Sequence, residues 1–422
     1  MKKPFLRLFA GKAWWTTILF LSFVVNGMCQ LTQWRGPNRD GIFSETGLLK
    51  VWPEEGPQRL WITEGVGKGW SSPIVTDRNI FVTGMIDSKD VISCFDLNGK
   101  MLWQVPYGTS WEKSYPDTRG SATIEGDLLW LISGSGELVC LSALNGERRW
   151  SVNVDQMYES EWHNWGVSES PLIVDDLVIC TPGGKLTSVV AFNKITGEEV
   201  WRSESLGGQR SYVSPVIYEY LEHRMILAAT ATHLMALDPG TGRTLWSYLY
   251  YDQAKWSRQP GLIWINTPVI HENRIFLSKG YNYHAVMLEM NQEAAAVTEV
   301  FRDSVLDNHH HGLILHEGYL YGSNWLNNGK GHWACMRWSD GEIMWEHDWH
   351  NKGALVFADG MFYAYEEKSG HVGLIEPAPE GIKLISEFQV TEGTGPHWAH
   401  PFIAHGNLYL RHGEVLMAYK IR

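Results

Sequence analysis

An aromatic residue ends a strand-like run eight times along this chain, at a nearly regular spacing. Neighbouring members of the series lie between 42 (Trp61 to Trp103) and 55 residues (Trp246 to Phe301) apart, near the roughly 40–50-residue period of four-stranded propeller blades. The eight closing aromatics are Trp61, Trp103, Trp150, Trp201, Trp246, Phe301, Trp345 and Phe388. Large rings at the ends of outer strands can pack between blades, so we expect nearly all of them to serve the core.

Turn signals divide each repeat into strands. Asn98-Gly99 and Thr241-Gly242 are typical of hairpins, because glycine takes a positive φ without steric cost. Each unit opens with a segment such as Ser72-Pro73, and the runs that follow alternate apolar and polar residues as antiparallel strands do. Eight such openings accompany the eight closing aromatics.

The two ends of the chain complement each other. The last opening, His400-Pro401, is followed by three strand-like runs, whereas residues 58–61 form a closing strand with no three strands before it. Joined, the two ends complete one blade and leave no sheet edge open. We therefore predict an all-β fold, an eight-bladed β-propeller of four-stranded antiparallel blades, closed by an N-terminal strand that completes the last C-terminal blade.

The N-terminal residues are typical of a secretory signal. Basic residues precede an apolar run from Trp14 to Val25, and small residues at Gly27 and Cys29 suit cleavage before Gln30. Two alternatives stay open: lipidation of Cys29, which would be the only membrane attachment of a protein cleaved there, and an uncleaved anchor, for which the run is short. We expect an exported protein of the periplasm or cell envelope.

Length and charge complete this outline. We predict a signal peptide (residues 1–29), an N-terminal segment over the disc face (30–57) and one propeller domain (58–422). The 35 basic and 47 acidic side chains give a net charge of −12, which disfavours nucleic acid and anionic lipid as partners by bulk attraction. We expect a monomer.

Four cysteines remain after the signal: Cys94, Cys140, Cys180 and Cys335. An even count in an exported chain suggests disulfides. However, Cys94, Cys140 and Cys335 occupy nearly the same place in three different repeats, and equivalent positions in successive blades are far apart. We therefore predict buried free thiols.

Polar residues stand at or just before the blade openings, where the innermost strands would face the central channel. The predicted ligand-binding set is Arg119, Glu169, Arg210, Asn266, His310, His311, Lys352, His397, Trp398 and His400. In an enzyme, Glu169 would be the catalytic base and Arg119 or Arg210 an anion clamp. The alternative is that a wide propeller channel is simply wet and lined with polar side chains.

The histidines raise the question of a metal. The consecutive residues 309–311 point alternately in a strand, so at most two share a face. With histidines from other blades they would form a nitrogen-rich transition-metal site, and the candidates are His163, His310, His311 and His400. Consecutive histidines also occur as plain polar loop residues, and the sequence alone assigns no metal.

The segment from Leu237 to Trp246 resembles the repeats of the pyrroloquinoline quinone (PQQ)-like β-propeller superfamily. This superfamily includes quinoprotein alcohol dehydrogenases and the propeller lipoprotein of the outer-membrane β-barrel assembly machinery. Several segments outside the repeat are similar to one bacterial branch, namely 34–41, 168–171, 181–184, 308–312 and 398–401.

The resemblance implies two different functions. A PQQ dehydrogenase needs an aromatic floor, a cation, Ca²⁺ held by oxygen ligands and a carboxylate base, and many present a pair of adjacent cysteines. This chain has no adjacent cysteines, and we find no cluster that matches the family's calcium set. We therefore assign no cofactor, and PQQ with Ca²⁺ remains the cofactor of the enzyme alternative.

The leading hypothesis is a binding or scaffolding protein of the cell envelope. Its channel mouth would hold a protein partner or a small ligand, since loops from many blades converge on one rim. The first alternative is a PQQ-dependent alcohol or sugar dehydrogenase. The second is glycan binding through Trp70, Trp111, Trp162 and Trp398.

Overall fold

The computed structural model describes Met1 and residues 31–162, 164–250 and 263–422. The predicted signal peptide after Met1, the lipidation candidate Cys29 and the metal candidate His163 lie outside the described residues. Among the residues that are described, no helix is long and apolar enough to cross a bilayer.

The strands form eight sheets, each built on a four-stranded antiparallel blade of one propeller. Three short strands come first: β1 (Leu31–Thr32), β2 (Ile42–Phe43) and β3 (Arg59–Thr63). Blades 1 to 4 are β4 (Ile74–Val75), β5 (Asn79–Ile86), β6 (Lys89–Asp96) and β7 (Met101–Thr109); β8 (Thr123–Glu125), β9 (Leu128–Ile132), β10 (Glu137–Ser142) and β11 (Arg148–Asn153), followed by helix α1 (Val154–Met157); β12 (Leu172–Val174), β13 (Leu177–Cys180), β14 (Val190–Asn193) and β15 (Glu199–Arg202); β16 (Val216–Tyr220), β17 (His223–Ala229), β18 (His233–Leu237) and β19 (Thr244–Leu249).

The remaining blades have the same order, from the inner strand outward. Blades 5 to 7 are β20 (Val269–His271), β21 (Arg274–Leu277), β22 (Ala285–Met290) and β23 (Val297–Asp303); β24 (Ile314–His316), β25 (Tyr319–Ser323), β26 (Trp333–Arg337) and β27 (Ile343–His347); β28 (Gly353–Ala358), β29 (Met361–Glu366), β30 (His371–Glu376) and β31 (Lys383–Gln389). Blade 8 consists of β32 (Phe402–Ala404), β33 (Asn407–His412) and β34 (Val415–Lys420), with β3 as its outer strand.

The ring closes through its own termini, as predicted. Strand β3 pairs antiparallel with β34, and Trp61 lies opposite Ala418 and Ile62 opposite Met417. The N-terminal strand β3 and the three C-terminal strands therefore share one blade, and the predicted eight-bladed fold is confirmed.

In blades 1, 2, 3, 4 and 6, the glycine of the outer hairpin lies against the ring of the closing aromatic of the preceding blade. The ring of Trp201 in blade 3 lies where a Cβ on Gly242 of blade 4 would be, at 2.3 Å, and its Nε1 donates a hydrogen bond of 2.9 Å to Pro239 O in the same turn. Trp150 lies in the same way over Gly197, at 2.7 Å. These contacts confirm the core role predicted for the closing aromatics and explain why glycine recurs with them.

The four described cysteines are buried free thiols, as predicted. Burial raises the pKa of Cys94, Cys140 and Cys335 to about 12, and that of Cys180 well above its ordinary value. Each thiol is therefore protonated at neutral pH and packs as a small apolar side chain.

The N-terminal strands enter the channel. Strand β1 pairs with β8, the inner strand of blade 2, and β2 pairs in parallel with β28, the inner strand of blade 7. The residues between them, 33–41, therefore cross the central channel from one side of the ring to the other. We call residues 33–41 the crossing segment.

Candidate functional site

Two buried arginines fix the crossing segment. Arg39 donates hydrogen bonds to the carbonyl oxygens of Ser170 (2.9 Å), Pro171 (2.6 Å) and Pro215 (3.0 Å), at the starts of blades 3 and 4. Burial lowers the pKa of Arg39 to about 9, partly offset by the nearby Glu169 carboxylate. The guanidinium stays charged at neutral pH and satisfies carbonyl groups that would otherwise face an empty channel.

The second arginine, Arg35, binds the opposite side of the ring. It donates to Leu313 O (3.1 Å) in blade 6, and its Nη1 lies 3.0 Å from His400 Nδ1 at the start of blade 8. The crossing segment is thus bonded to both halves of the ring. It divides the channel into two cavities, one of about 410 Å³ on the side where the blades begin and one of about 720 Å³ on the other side.

The smaller cavity, here called the channel-mouth cavity, is walled by the segments that precede the inner strands of all eight blades. Trp34 of the crossing segment also lines it and forms its floor. The aromatic residues of its wall are Trp34, Trp70, Tyr115, Trp165, Tyr212, Tyr281, Trp325 and Trp398. Hydroxyl groups lie among the rings, from Ser72, Ser121, Ser168, Ser170 and Ser214.

One carboxylate, Glu367, organises the polar part of this wall. It lies in the loop between β29 and β30, and its Oε1 is 3.1 Å from Lys352 Nζ. Its Oε2 accepts a hydrogen bond from Trp398 Nε1 (2.9 Å) and lies 3.0 Å from His311 Nε2 and 3.5 Å from His310 Nε2. The ion pair with Lys352 explains how a carboxylate that is only 6% exposed is tolerated here.

The three consecutive histidines are neutral. Burial lowers the pKa of His309 to about 3 and that of His310 and His311 well below the ordinary value, and for His311 the Lys352 cation adds to this effect. His309 Nδ1 and His310 Nδ1 are 2.8 Å apart, so one donates to the other. Within the described residues, His309 Nε2, His310 Nε2 and His311 Nδ1 have no hydrogen-bond partner.

Arg119 is the second cation of the wall. Its guanidinium lies 4.9 Å from the centre of the Trp70 ring and donates hydrogen bonds to Tyr115 O and, at 3.2 Å, to Asp117 O. The Trp70 ring in turn contacts Trp398 edge-on at 4.7 Å. Burial lowers the pKa of Arg119, yet the side chain stays charged at neutral pH and faces the cavity.

The structure brings together five residues of the sequence-predicted set and places the others elsewhere. Arg119, His310, Lys352, Trp398 and His400 line the channel-mouth cavity, and His311 lies fully buried behind His310. The remaining predicted residues, Glu169, Arg210, Asn266 and His397, are not part of its wall.

Glu169 and Arg210 belong to a buried ion-pair network. Glu169 is fully buried and accepts a hydrogen bond from the backbone N of Thr181 (2.9 Å), and its Oε2 lies 3.2 Å from Arg210 Nη2. Arg210 also pairs with Asp155. Burial raises the pKa of Glu169 to about 7, although Arg210 and the Thr181 amide act in the opposite direction. This network joins blade 3 to helix α1 and blade 4.

Asn266 and His397 support the wall from behind. The Asn266 side-chain amide donates to Asn308 O (2.7 Å) and His309 O (2.9 Å), which fixes the loop that carries the histidines. His397 Nδ1 lies 2.6 Å from Tyr365 Oη, and the ring stacks on His412 at 3.5 Å. Both residues therefore position loops of the channel mouth without facing the cavity.

Glu367 and Trp34 are among the wall residues that the sequence reasoning does not predict. Glu367 lies between the second and third strands of blade 7, whereas the sequence pattern points to residues at the blade openings. In a blade, the loop after the second strand reaches the same face as the opening segment. The predicted blade topology could therefore have indicated Glu367 as a candidate. Trp34 belongs to the segment that the sequence predicts over the disc face, whereas the structure places its ring inside the channel.

A second aromatic surface adjoins the channel mouth. The rings of Trp111 and Trp162 are 4.8 Å apart and line a groove on the same face. Tyr115 and Trp165 line both this groove and the channel-mouth cavity. Of the four tryptophans considered for glycan binding, Trp70 and Trp398 thus lie in the cavity and the other two in the groove beside it.

The comparisons agree with this architecture. A family model described as outer membrane protein assembly factor BamB matches residues 88–347. No curated protein sequence matches the chain. The crystal structure of BamB from Moraxella catarrhalis has 16% sequence identity and a TM-score of 0.62, over 86% of this chain and 99% of that one.

Dehydrogenases share the fold as well. A europium-containing methanol dehydrogenase has 13% identity and a TM-score of 0.65, over 90% of each chain. A quinohemoprotein alcohol dehydrogenase from Comamonas testosteroni has 12% identity and a TM-score of 0.63, over 90% of this chain and 79% of that one. Together with the family match, these structures confirm the predicted PQQ-like superfamily, and at such identities the likeness is one of fold.

Proposed function

The chain belongs to the family described as outer membrane protein assembly factor BamB, and from this premise we propose that it is an exported binding protein of the cell envelope whose channel mouth holds a ligand. The observation that carries the proposal is the channel-mouth cavity itself. It receives residues from all eight blades, and the crossing segment closes it from below.

The shape and chemistry of the cavity favour a small ligand. Its volume of about 410 Å³ lies in the range of small-molecule sites, roughly 300–1,000 Å³. Aromatic rings offer flat apolar faces, and the serine hydroxyls around them offer donors and acceptors. Arg119 and Lys352 add positive charge, and Arg119 has no carboxylate bonded to it among the described residues. A ring-shaped ligand with hydroxyl groups and an acidic substituent meets all three features.

A glycan is the candidate of this kind that a specific observation favours. The groove of Trp111 and Trp162 continues the aromatic wall of the cavity through Tyr115 and Trp165. A chain of sugar rings would stack along this path while its terminal acidic sugar enters the cavity. A protein partner, which the family description suggests, would instead cover the exposed rim, where Tyr115 is 59% exposed.

The donor chemistry of the wall gives less support to a quinoprotein dehydrogenase. Ca²⁺ takes six to eight oxygen ligands, whereas the lining of the cavity offers one carboxylate, Glu367, which is paired with Lys352. Glu169, the base of that hypothesis, is buried against Arg210 outside the wall. The described residues therefore do not fit calcium-bound PQQ.

A titration of tryptophan fluorescence tests the small-ligand proposal. We predict that acidic sugars such as glucuronate quench the cavity tryptophans of the wild type more strongly than their neutral counterparts do. Arg119→Met should weaken acidic-sugar binding about tenfold or more, because a charge-assisted hydrogen bond contributes about 1.5–3 kcal/mol. Arg78→Met, at an exposed turn of blade 1, is the matched control. Equal affinity of Arg119→Met and wild type for every acidic sugar would contradict the proposal.

Photo-crosslinking in intact envelopes separates a small ligand from a protein partner. A benzophenone amino acid at position 115 reports on the rim, and the same group at the exposed Leu221, in the turn between β16 and β17 at the other end of the inner strands, is the control. A protein adduct specific to position 115 favours the partner, and a specific low-mass adduct favours the glycan. Identical adducts at both positions would exclude the channel mouth as the recognition site.

A further inference from the structure

We propose that His310, His311 and Glu367 bind one divalent transition-metal ion of the zinc type in the wall of the channel-mouth cavity. The three residues come from two blades, since the histidines precede β24 of blade 6 and Glu367 follows β29 of blade 7. Only the closed ring brings them together. Their ligand atoms lie within 4.8 Å of one another.

The distances match what an ion requires. A tetrahedral zinc ion about 2.0–2.2 Å from its nitrogen and oxygen ligands holds those ligands about 3.3–3.5 Å from each other. Glu367 Oε2 is 3.0 Å from His311 Nε2 and 3.5 Å from His310 Nε2. Glu367 Oε2 therefore lies within a few tenths of an ångström of this spacing from both imidazole nitrogens, and the three ligand atoms all lie within 4.8 Å of one another.

Hydrogen bonds from neighbouring groups orient the His310 and Glu367 side chains for metal binding. His310 Nε2 has no hydrogen-bond partner among the described residues, and its Nδ1 is bonded to His309 Nδ1. When His310 donates that bond, its Nε2 carries a lone pair directed at the cluster. Trp398 Nε1 donates to Glu367 Oε2 at 2.9 Å, as the outer hydrogen bonds of metal sites do for ligating carboxylates.

The ligand set selects the ion. Two imidazole nitrogens and one carboxylate oxygen are the three protein ligands of many zinc sites that keep a fourth position for a water molecule or a substrate. Nitrogen donors disfavour Ca²⁺ and Mg²⁺, which prefer oxygen. His310 and Glu367 line the channel-mouth cavity, so the fourth position faces the proposed ligand.

The positive charges near the proposed ion favour an anionic fourth ligand. Lys352 lies 3.1 Å from the other oxygen of Glu367 and already neutralises that carboxylate. A divalent ion therefore adds uncompensated positive charge, with Arg119 across the cavity. An anionic fourth ligand, the acidic group of the proposed sugar, offsets it. This last step rests on the proposed function, whereas the ion itself does not.

Metal titration of the full chain tests the site. We expect one equivalent of Zn²⁺ per chain by calorimetry, and one equivalent of Co²⁺ with the visible absorption of a tetrahedral site. Glu367→Gln and His310→Asn should each weaken binding at least tenfold, since loss of a ligand removes a metal bond. His310 is a partly exposed residue, so its variant keeps the site testable if Glu367→Gln fails to fold.

The control is a stacked histidine pair outside the proposed site. His350 and His371 stack at 3.6 Å beside Glu387, so His350→Asn measures adventitious binding. Stoichiometric binding that survives in His310→Asn, or that disappears in His350→Asn, would overturn the site, as would a folded wild type that takes up no metal. Arg119→Met removes a neighbouring cation but no ligand atom, so it should still take up one equivalent of the ion, which separates failure of the metal site from failure of the acidic-ligand proposal.

Discussion

Lys279 is buried in blade 5 without a carboxylate bonded to it in the part of the chain that the structure describes. Its Nζ donates to Ala231 O at 2.7 Å and lies 4.9 Å from the centre of the Tyr283 ring. Burial lowers its pKa to about 7. One carbonyl and an aromatic face replace the water that a lysine ammonium ion normally has around it, which costs folding free energy at neutral pH.

Replacing Lys279 with methionine should change how stability depends on pH. The unfolded lysine has a pKa near 10.4, so between about pH 7 and 10 the unfolded chain binds more protons than the folded chain, and wild-type stability gains up to about 1.4 kcal/mol per pH unit from this group. Lys279→Met removes this gain and stabilises the protein most at or below pH 7. Urea denaturation at pH 6, 8 and 10 measures the difference in free energy of unfolding between this variant and the wild type, with exposed Lys420→Met as the control. Parallel pH profiles of Lys279→Met and wild type would contradict it.

The four buried thiols should be unreactive in the folded protein. Their raised pKa leaves almost no thiolate at pH 8, and the thiolate is the reacting species. A chain that begins at Gln30 should give no reaction with Ellman's reagent when native and four thiols in guanidinium chloride. A fast native reaction of one or more thiols would show that a blade opens readily.

At the scale of the element, the hairpin glycines accept the rings of the preceding blades. Gly242 has φ +69°, and the Trp201 ring leaves no room for a Cβ. Gly360 has φ +76° and open space around it. A non-glycine residue would therefore be strained by the left-handed backbone at both positions. Only at position 242 would it also displace a ring of the neighbouring blade.

Gly242→Ala should destabilise the protein more than Gly360→Ala. The strain common to both variants costs about 1–2 kcal/mol, and displacement of the Trp201 ring should add about 1–3 kcal/mol, as overpacked cores do. Guanidinium chloride denaturation measures both variants. Adding Trp201→Ala should abolish the extra cost if the ring causes it. Equal costs for the two alanine variants would show that the repeat glycines serve the turn alone.

For the whole molecule, the period of the sequence repeat predicts the number of blades and the way the ring closes. The spacing of closing aromatics, the openings and the complementary ends give eight blades and the pairing of β3 with β34. The same frame placed Arg119, Lys352 and His400 on one axis, because residues at equivalent positions of a ring converge.

The rest of the site depends on contacts that no repeat encodes. The crossing segment is not part of the repeat. It is held in the channel by hydrogen bonds from Arg35 and Arg39 to backbone carbonyl groups of the ring. Glu169 stands at a blade opening like the wall residues, yet it turns to Arg210 and the Thr181 amide. Side-chain direction at an irregular strand start is set by such partners, and sequence spacing does not reveal them.

Arg39 links the crossing segment to the ring, so its replacement tests whether the floor of the cavity is part of the cooperative fold. Arg39→Met removes a buried cation, which by itself favours folding, but leaves the carbonyl groups of Ser170 and Pro215 without that donor, whereas Pro171 O keeps its hydrogen bond from Thr123 Oγ1 (2.6 Å). An unpaired buried acceptor costs about 1–3 kcal/mol, so we expect a net loss on the order of 3 kcal/mol in urea denaturation. Amide exchange within residues 33–41 should accelerate while the strands of blade 6 keep their protection, and exposed Arg78→Met should change neither. If exchange in the crossing segment stays slow and stability is unaltered, its packing and not Arg39 holds the floor in place.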